Sequence, residues 1–177
     1  GFIMDNGWTS DIESVLESIR LNCVLLSKEH KKQYFQLKHT LQYFRLPVII
    51  LSGINSIVSV GLQPYLKQGT ISIATCLLAL TCSIIGSVEL YLAIQKGMEN
   101  ELTSQQSYYL LGVDIFKNLS LAREHRPVQA KDYLEKCYNE YCKLIENSNI
   151  ITRKLEDKLA PLLNFKSDST EMIAIGN

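Results

Sequence analysis

The sequence is poor in the groupings that chemistry needs. Its three histidines, His30, His39 and His125, lie far apart and form no H-E-x-x-H or other metal-ligand spacing. Its glycines are scattered, with neither a phosphate-binding loop nor a dinucleotide fingerprint. The five cysteines, Cys23, Cys76, Cys82, Cys137 and Cys142, are odd in number and include no C-x-x-C pair, so they read as reduced packing groups in a reducing compartment. Net charge is zero, which removes the electrostatic reason to expect nucleic acid. Residues 1–45 are charged and amphipathic, without the short apolar run of a signal peptide. These absences point away from an enzyme, a cofactor, a metal, a nucleic acid or a small-molecule substrate. Five tyrosines after residue 100 (Tyr108, Tyr109, Tyr133, Tyr138 and Tyr141) suit amphipathic packing surfaces, not reactive groups.

The most informative absence is of charge in the centre. Residues 46–66 hold none, and after Lys67 neither do residues 68–88. Each run of 21 residues extends ~32 Å as a helix, about the thickness of a bilayer's hydrocarbon core. The expected fold is therefore all-α: an integral membrane two-helix hairpin over residues 46–94, turning at 63–70, with long helical arms on the cytosolic side. A helix pair covered by protein, within a soluble all-helical adaptor, is the alternative. The flanks decide orientation. Lys28, Lys31, Lys32, Lys38 and Arg45 precede the first run, whereas only Lys67 lies in the turn, and Lys96 follows the second run. The positive-inside rule puts both termini on the cytosolic side.

The remaining segments divide as a lead-in at residues 1–10, a basic amphipathic helix at 11–45, a helical C-terminal arm at 95–163 and a tail at 164–177. Ser10 and Glu13 fit a capping box. Ile12, Val15, Leu16, Ile19, Cys23 and Leu26 then form an apolar stripe. One long helix, bent at Pro47 if anywhere, feeds the first span. In the arm, the segment Arg123-Glu124-His125-Arg126-Pro127 breaks the helical period and reads as a solvated turn. Beyond it Leu134, Cys137, Tyr141, Leu144, Ile151 and Leu155, with Ser148 as a weak member between Leu144 and Ile151, recur at alternating three and four residues. They form an arm interface that either joins copies as a short coiled-coil seam or packs on the residue 11–26 stripe.

Within the spans, Ser52, Asn55, Ser56, Ser59 and Gln63 make one polar stripe, and Ser72, Thr75, Ala79, Cys82 and Gly86 a small-residue stripe. Helix packing by close approach and Ser or Asn bonds across the interface explains them. A water-lined path in an oligomer explains them too. Arg45 and Glu89 lie equally far from Lys67, so they are expected either to pair at the membrane boundary or to reach the headgroups separately.

The segment Gln95-Lys96-Gly97-Met98-Glu99-Asn100-Glu101-Leu102, then Tyr108-Tyr109-Leu110-Leu111, and the tyrosine-rich stretch at 138–151 resemble SLATT-type two-span proteins over residues 21–163. That resemblance implies an oligomeric membrane effector that forms a pore. The wording of residues 87–96 and of Leu144-Ile145-Glu146-Asn147-Ser148 is similar to proteins of large DNA viruses with a membrane beneath the capsid. It implies a virion's internal membrane as location and a capsid or scaffold protein as partner. The combined expectation is a two-pass anchor whose arms self-associate or dock to a protein layer, with the lipid bilayer as its first partner.

Overall fold

A computed structural model describes residues 6–149, and all regular structure in them is helical. In chain order come α1 (Ser10–Gly61), α2 (Gln68–Leu92), α3 (Ile94–Ser120), a 3₁₀ turn (Arg123–His125) and α4 (Ala130–Asn147). The chain forms two compact units. One holds the described residues up to 32 together with those from 100 onward; the other holds residues 33–99. Ile151 and Leu155 of the expected arm interface lie outside the described residues, as does the tail at 164–177.

The first unit is a three-helix core. Leu16, Ile19, Cys23 and Leu26 from α1 meet Tyr108, Leu111 and Ile115 from α3 and Ala130, Tyr133, Cys137 and Tyr141 from α4, all buried. Each set recurs every three or four residues, so one face of each helix is withdrawn from water. Gly112 permits the closest approach of α3 to α1, since a β-carbon there would meet the Cys23 Cβ at 3.4 Å. The two readings of the α4 period thus resolve for the described residues. Cys137 and Tyr141 point into this core, while Leu134 and Leu144 pack against it half-buried. Within the chain they serve the core.

Buried tyrosine hydroxyls in this core are partnered, as burial requires. Asn22 Nδ2 donates to the Tyr141 hydroxyl at 3.1 Å, and Tyr133 donates to Asp114 Oδ2 at 2.9 Å. Burial pushes the Cys23 thiol up to about 12 and the Cys137 thiol up to about 11. Thiols held protonated in this way are poor nucleophiles and act as packing groups.

The segment 123–127 differs from the solvated turn expected of it. Arg126 is buried, with its guanidinium 4.3 Å from the Trp8 ring centre. It donates to the Leu119 and Leu121 carbonyls, which end α3 without helical partners of their own, and to Glu13 Oε1 at 2.6 Å. Arg123 also donates to Glu13, at 2.9 and 3.0 Å. Glu13 is therefore not the second half of a capping box. Its carboxylate is taken by two arginines from the α3–α4 connection, which the local sequence could not reveal. The lead-in is fastened to the same connection: Trp8 Nε1 donates to the Val128 carbonyl and Ala130 N–H to the Asn6 carbonyl.

The second unit contains α1 from residue 33, all of α2 and the start of α3. The α1 helix continues through Pro47, although proline lacks the N–H of an interior helical bond and costs an isolated helix ~3 kcal/mol. Between α2 and α3, Ala93 adopts the left-handed region with φ 48°. Alanine is the best helix former and pays for this conformation, so the break comes from surrounding contacts, not from local preference.

Hydrogen bonds from Arg123 first, then Arg126, hold the Glu13 carboxyl at about 2, below its ordinary 4.5. A carboxyl lowered on folding stabilises the fold above its unfolded value, and this contribution is lost as pH falls from about 4.5 toward 2. Thermal unfolding followed by circular dichroism should show Glu13→Gln melting below wild type at about pH 6 and the gap closing as pH approaches 2. A gap independent of pH would mean that the ion pairs do not act in this way.

Candidate functional site: the apolar hairpin and its polar contacts

The half-buried positions of the second unit define the contact faces of α1 and α2. Within the apolar run of α1 they are Pro47, Val48, Leu51, Asn55, Val58 and Ser59, with Leu62 just past the end of the helix; on α2 they are Ala74, Thr75, Leu78, Cys82, Ile85, Gly86 and Glu89, with Ile71 fully buried. The outer faces are mainly aliphatic, with serines and threonines such as Ser56, Ser72, Thr81 and Ser83 among the exposed residues. Ile50, Ile57, Val60, Ile73, Leu77, Leu80 and Ile84 are all more than half exposed. The most apolar 18-residue windows of α1 and of α2–α3 have mean hydropathy 1.6 and 2.1, and only 0% and 6% of each is buried.

The predicted polar stripe divides in this arrangement. Asn55 and Ser59 belong to the half-buried face, whereas Ser52, Ser56 and Gln63 are exposed. On α2, Thr75, Cys82 and Gly86 are half-buried, whereas Ser72 and Ala79 are exposed. The hydroxyls largely serve their own helices: Ser56 donates to the Ser52 carbonyl at 3.0 Å, Ser59 to that of Asn55 at 2.7 Å and Thr75 to that of Ser72 at 3.1 Å. Across the two helices, Ser52 Oγ meets Cys82 Sγ at 3.9 Å.

Two details correct the expected mode of packing. A β-carbon on Gly86 would have nothing within 4 Å, so this glycine does not mark a close backbone approach. The Asn55 Oδ1 atom is buried without a hydrogen-bond partner, so the amide does not bridge the helices through its oxygen. The contact rests mainly on aliphatic packing, because each serine finds a carbonyl one turn back more readily than a partner across the gap.

At the other end of the hairpin, Arg45 and Glu89 come together. Arg45 Nε donates to Glu89 Oε1 at 3.1 Å, and its Nη2 donates to Gln95 Oε1 at 2.8 Å. Glu89 precedes the Ala93 break and Gln95 follows it, so one guanidinium fork fastens both sides of the break to α1. Beneath it Leu41 and Ile94 are buried, and a β-carbon on Gly97 would lie 3.5 Å from Leu37 Cδ1. Without these contacts the sequence around Ala93 would favour an uninterrupted helix.

A second polar cluster, in the three-helix unit, was missed by sequence reasoning. His30 is fully buried, with Nδ1 2.5 Å from Glu101 Oε2 and its ring stacked on Tyr108 at 5.5 Å. Asn149 donates to the other Glu101 oxygen at 2.7 Å, and Tyr108 shares a 2.9 Å bond with Ser148. Burial pushes the Tyr108 hydroxyl up to about 12. A signal for His30 was present, because it continues the 16, 19, 23, 26 spacing. Its place in a lysine-rich stretch made it read as surface.

These clusters hold helices together; they do not resemble a reaction centre. Among the described residues no group of three or more His, Cys, Asp or Glu side chains could hold a metal ion. An open groove of about 470 Å³ along α2, lined by Ser83, Ile84, Ser87, Val88 and Tyr91, has no charged group in its lining.

The chain is similar to an uncharacterized protein, VP11, of Micromonas pusilla reovirus (isolate Netherlands/2005). The two are 20% identical over 139 residues, covering 78% of this chain and 72% of the viral protein. No known family and no solved structure matches the chain. The similarity reaches a viral protein, but it does not reach the DNA-virus group or the SLATT family that the wording of the sequence resembles.

His30→Ala should lower stability by about 1 to 3 kcal/mol, since it removes one hydrogen-bond partner of the buried Glu101 while Asn149 still holds the other oxygen. Denaturant unfolding of wild type and variant measures this, and a loss under about 1 kcal/mol would show that Glu101 is adequately held by its other contacts. Glu89→Gln should be milder, under about 1 kcal/mol, because Arg45 is half exposed. The readout is thermal stability in micelles.

Proposed function

We propose that the protein is a two-pass membrane anchor with no enzymatic role, whose helical arms self-associate or dock to a protein layer such as a capsid. The observation that carries this reading is the exposed apolar surface of α1 and α2. Windows with mean hydropathy 1.6 and 2.1 are left 0% and 6% buried. Helices buried in the core of a soluble protein would have these faces covered. In hydrocarbon they need no cover, since each helix satisfies its own backbone. The basic stretch before residue 46 favours both termini on the cytosolic side. Similarity to a reovirus protein supports a viral setting, and a virion's internal membrane as the location rests on the sequence resemblance alone.

A second reading is an oligomeric SLATT-like pore. It is favoured by the exposure of Ser56 and Gln63, which make no hydrogen bond across the two helices, together with Ser52, which is exposed although its hydroxyl meets Cys82.

Reconstitution into liposomes separates these readings. An anchor should resist alkaline carbonate extraction and leave an entrapped dye sealed. A pore should leak, and Ser56→Leu together with Gln63→Leu should abolish the leak. Release of the protein by carbonate would overturn the membrane reading altogether.

A further inference from the structure

The α3 helix has two apolar faces, and the three-helix core uses only one. Tyr108, Leu111 and Ile115 are buried. On the opposite side Leu102, Gln106, Tyr109, Val113, Phe116 and Ser120 follow at intervals of four, three, four, three and four, and every one is exposed. This is the spacing of a coiled-coil seam. Tyr109 is 58% exposed, Leu110 beside it 65% and Phe116 58%. The outward face of α4 is different: Lys131, Asp132, Glu135, Lys136, Glu140 and Lys143 keep it in water.

We propose that this outer face of α3 is a self-association surface, occupied by the same face of a second copy of this chain. Three features favour a second copy over an unrelated partner. None of the seam side chains is charged, and the Arg20 guanidinium, 5.7 Å from the Phe116 ring centre, is neutralised by Glu17, so pairing with itself brings no uncompensated like charges together. Its apolar side chains leave roughly 500 Å² exposed, and a symmetric pair would bury about 1,000 Å², the lower bound for a stable protein interface. The alternating intervals let one helix pair with its own copy in register, and Gln106 opposite its counterpart penalises shifted registers.

The proposal rests on the anchor reading in one respect. Copies held in one membrane meet at raised local concentration, so a seam of under three heptads suffices. It also relocates the oligomer contact, because the α4 positions expected to provide it are spent inside the unit.

Sedimentation of the full chain in micelles tests the proposal, with Val113→Glu, Tyr109→Lys and the conservative Val113→Leu beside wild type. Wild type and Val113→Leu should self-associate. The two charged variants should associate at least about tenfold more weakly while keeping their helical circular dichroism, because the seam would bury an unpaired charge. Equal association of wild type and both charged variants overturns the proposal, and so does a monomeric wild type. If Val113→Glu unfolds, Tyr109→Lys, at a more exposed site, decides. A chain ending at Asn149 that associates where the full chain does not would show the C-terminal residues covering the seam, again overturning it. Carbonate extraction of the same preparations keeps the two readings apart. Protein that washes off membranes yet loses association on Tyr109→Lys retains the seam and loses the anchor.

Discussion

A polar backbone must find hydrogen bonds wherever apolar side chains exclude water, and the rest of this structure follows from that constraint. Helices close those bonds within the segment. A chain with two uncharged runs of 21 residues therefore needs no sheet partner and no water along them. The serine hydroxyls obey the same economy by returning to carbonyls one turn back. What remains outside is mainly aliphatic, interspersed with serines and threonines whose hydroxyls are already bonded within their own helix.

Where side-chain polarity does cross between helices, it sits at junctions. Arg45 ties Glu89 and Gln95 across the Ala93 break. Arg126 covers the carbonyls that end α3 and takes Glu13 from α1. His30 and Glu101 join α1 to α3 in the core. Arg126 and the His30–Glu101 pair are buried and are supplied with partners there, whereas the Arg45 fork stays half exposed. All three fasten one helix or connection to another.

Legibility varied with the range of the interaction. The α1 stripe from Leu16 to Leu26 could be read directly, since burial repeats with the helical period. His30 lies on the same stripe but was masked by the lysines around it, and its partner Glu101 is 71 positions away. Glu13 was misread because a capping box is a local motif, whereas its real partners are more than a hundred residues distant. The α4 period fitted a seam and a core equally well. The alternation of three and four says that one face is buried, not what buries it.

The sequence by itself determined the helical content, the uncharged length of the two central segments and the residues that share each helical face. These depend on neighbours within four positions and on backbone geometry alone. Only tertiary structure decided which apolar face is consumed internally and which is left outward, because α4 and the outer side of α3 carry similar periods. It also decided the break at Ala93, where local propensity favours continuing the helix and contacts from α1 override it. Those outcomes depend on residues brought together across the chain, and no local pattern encodes them.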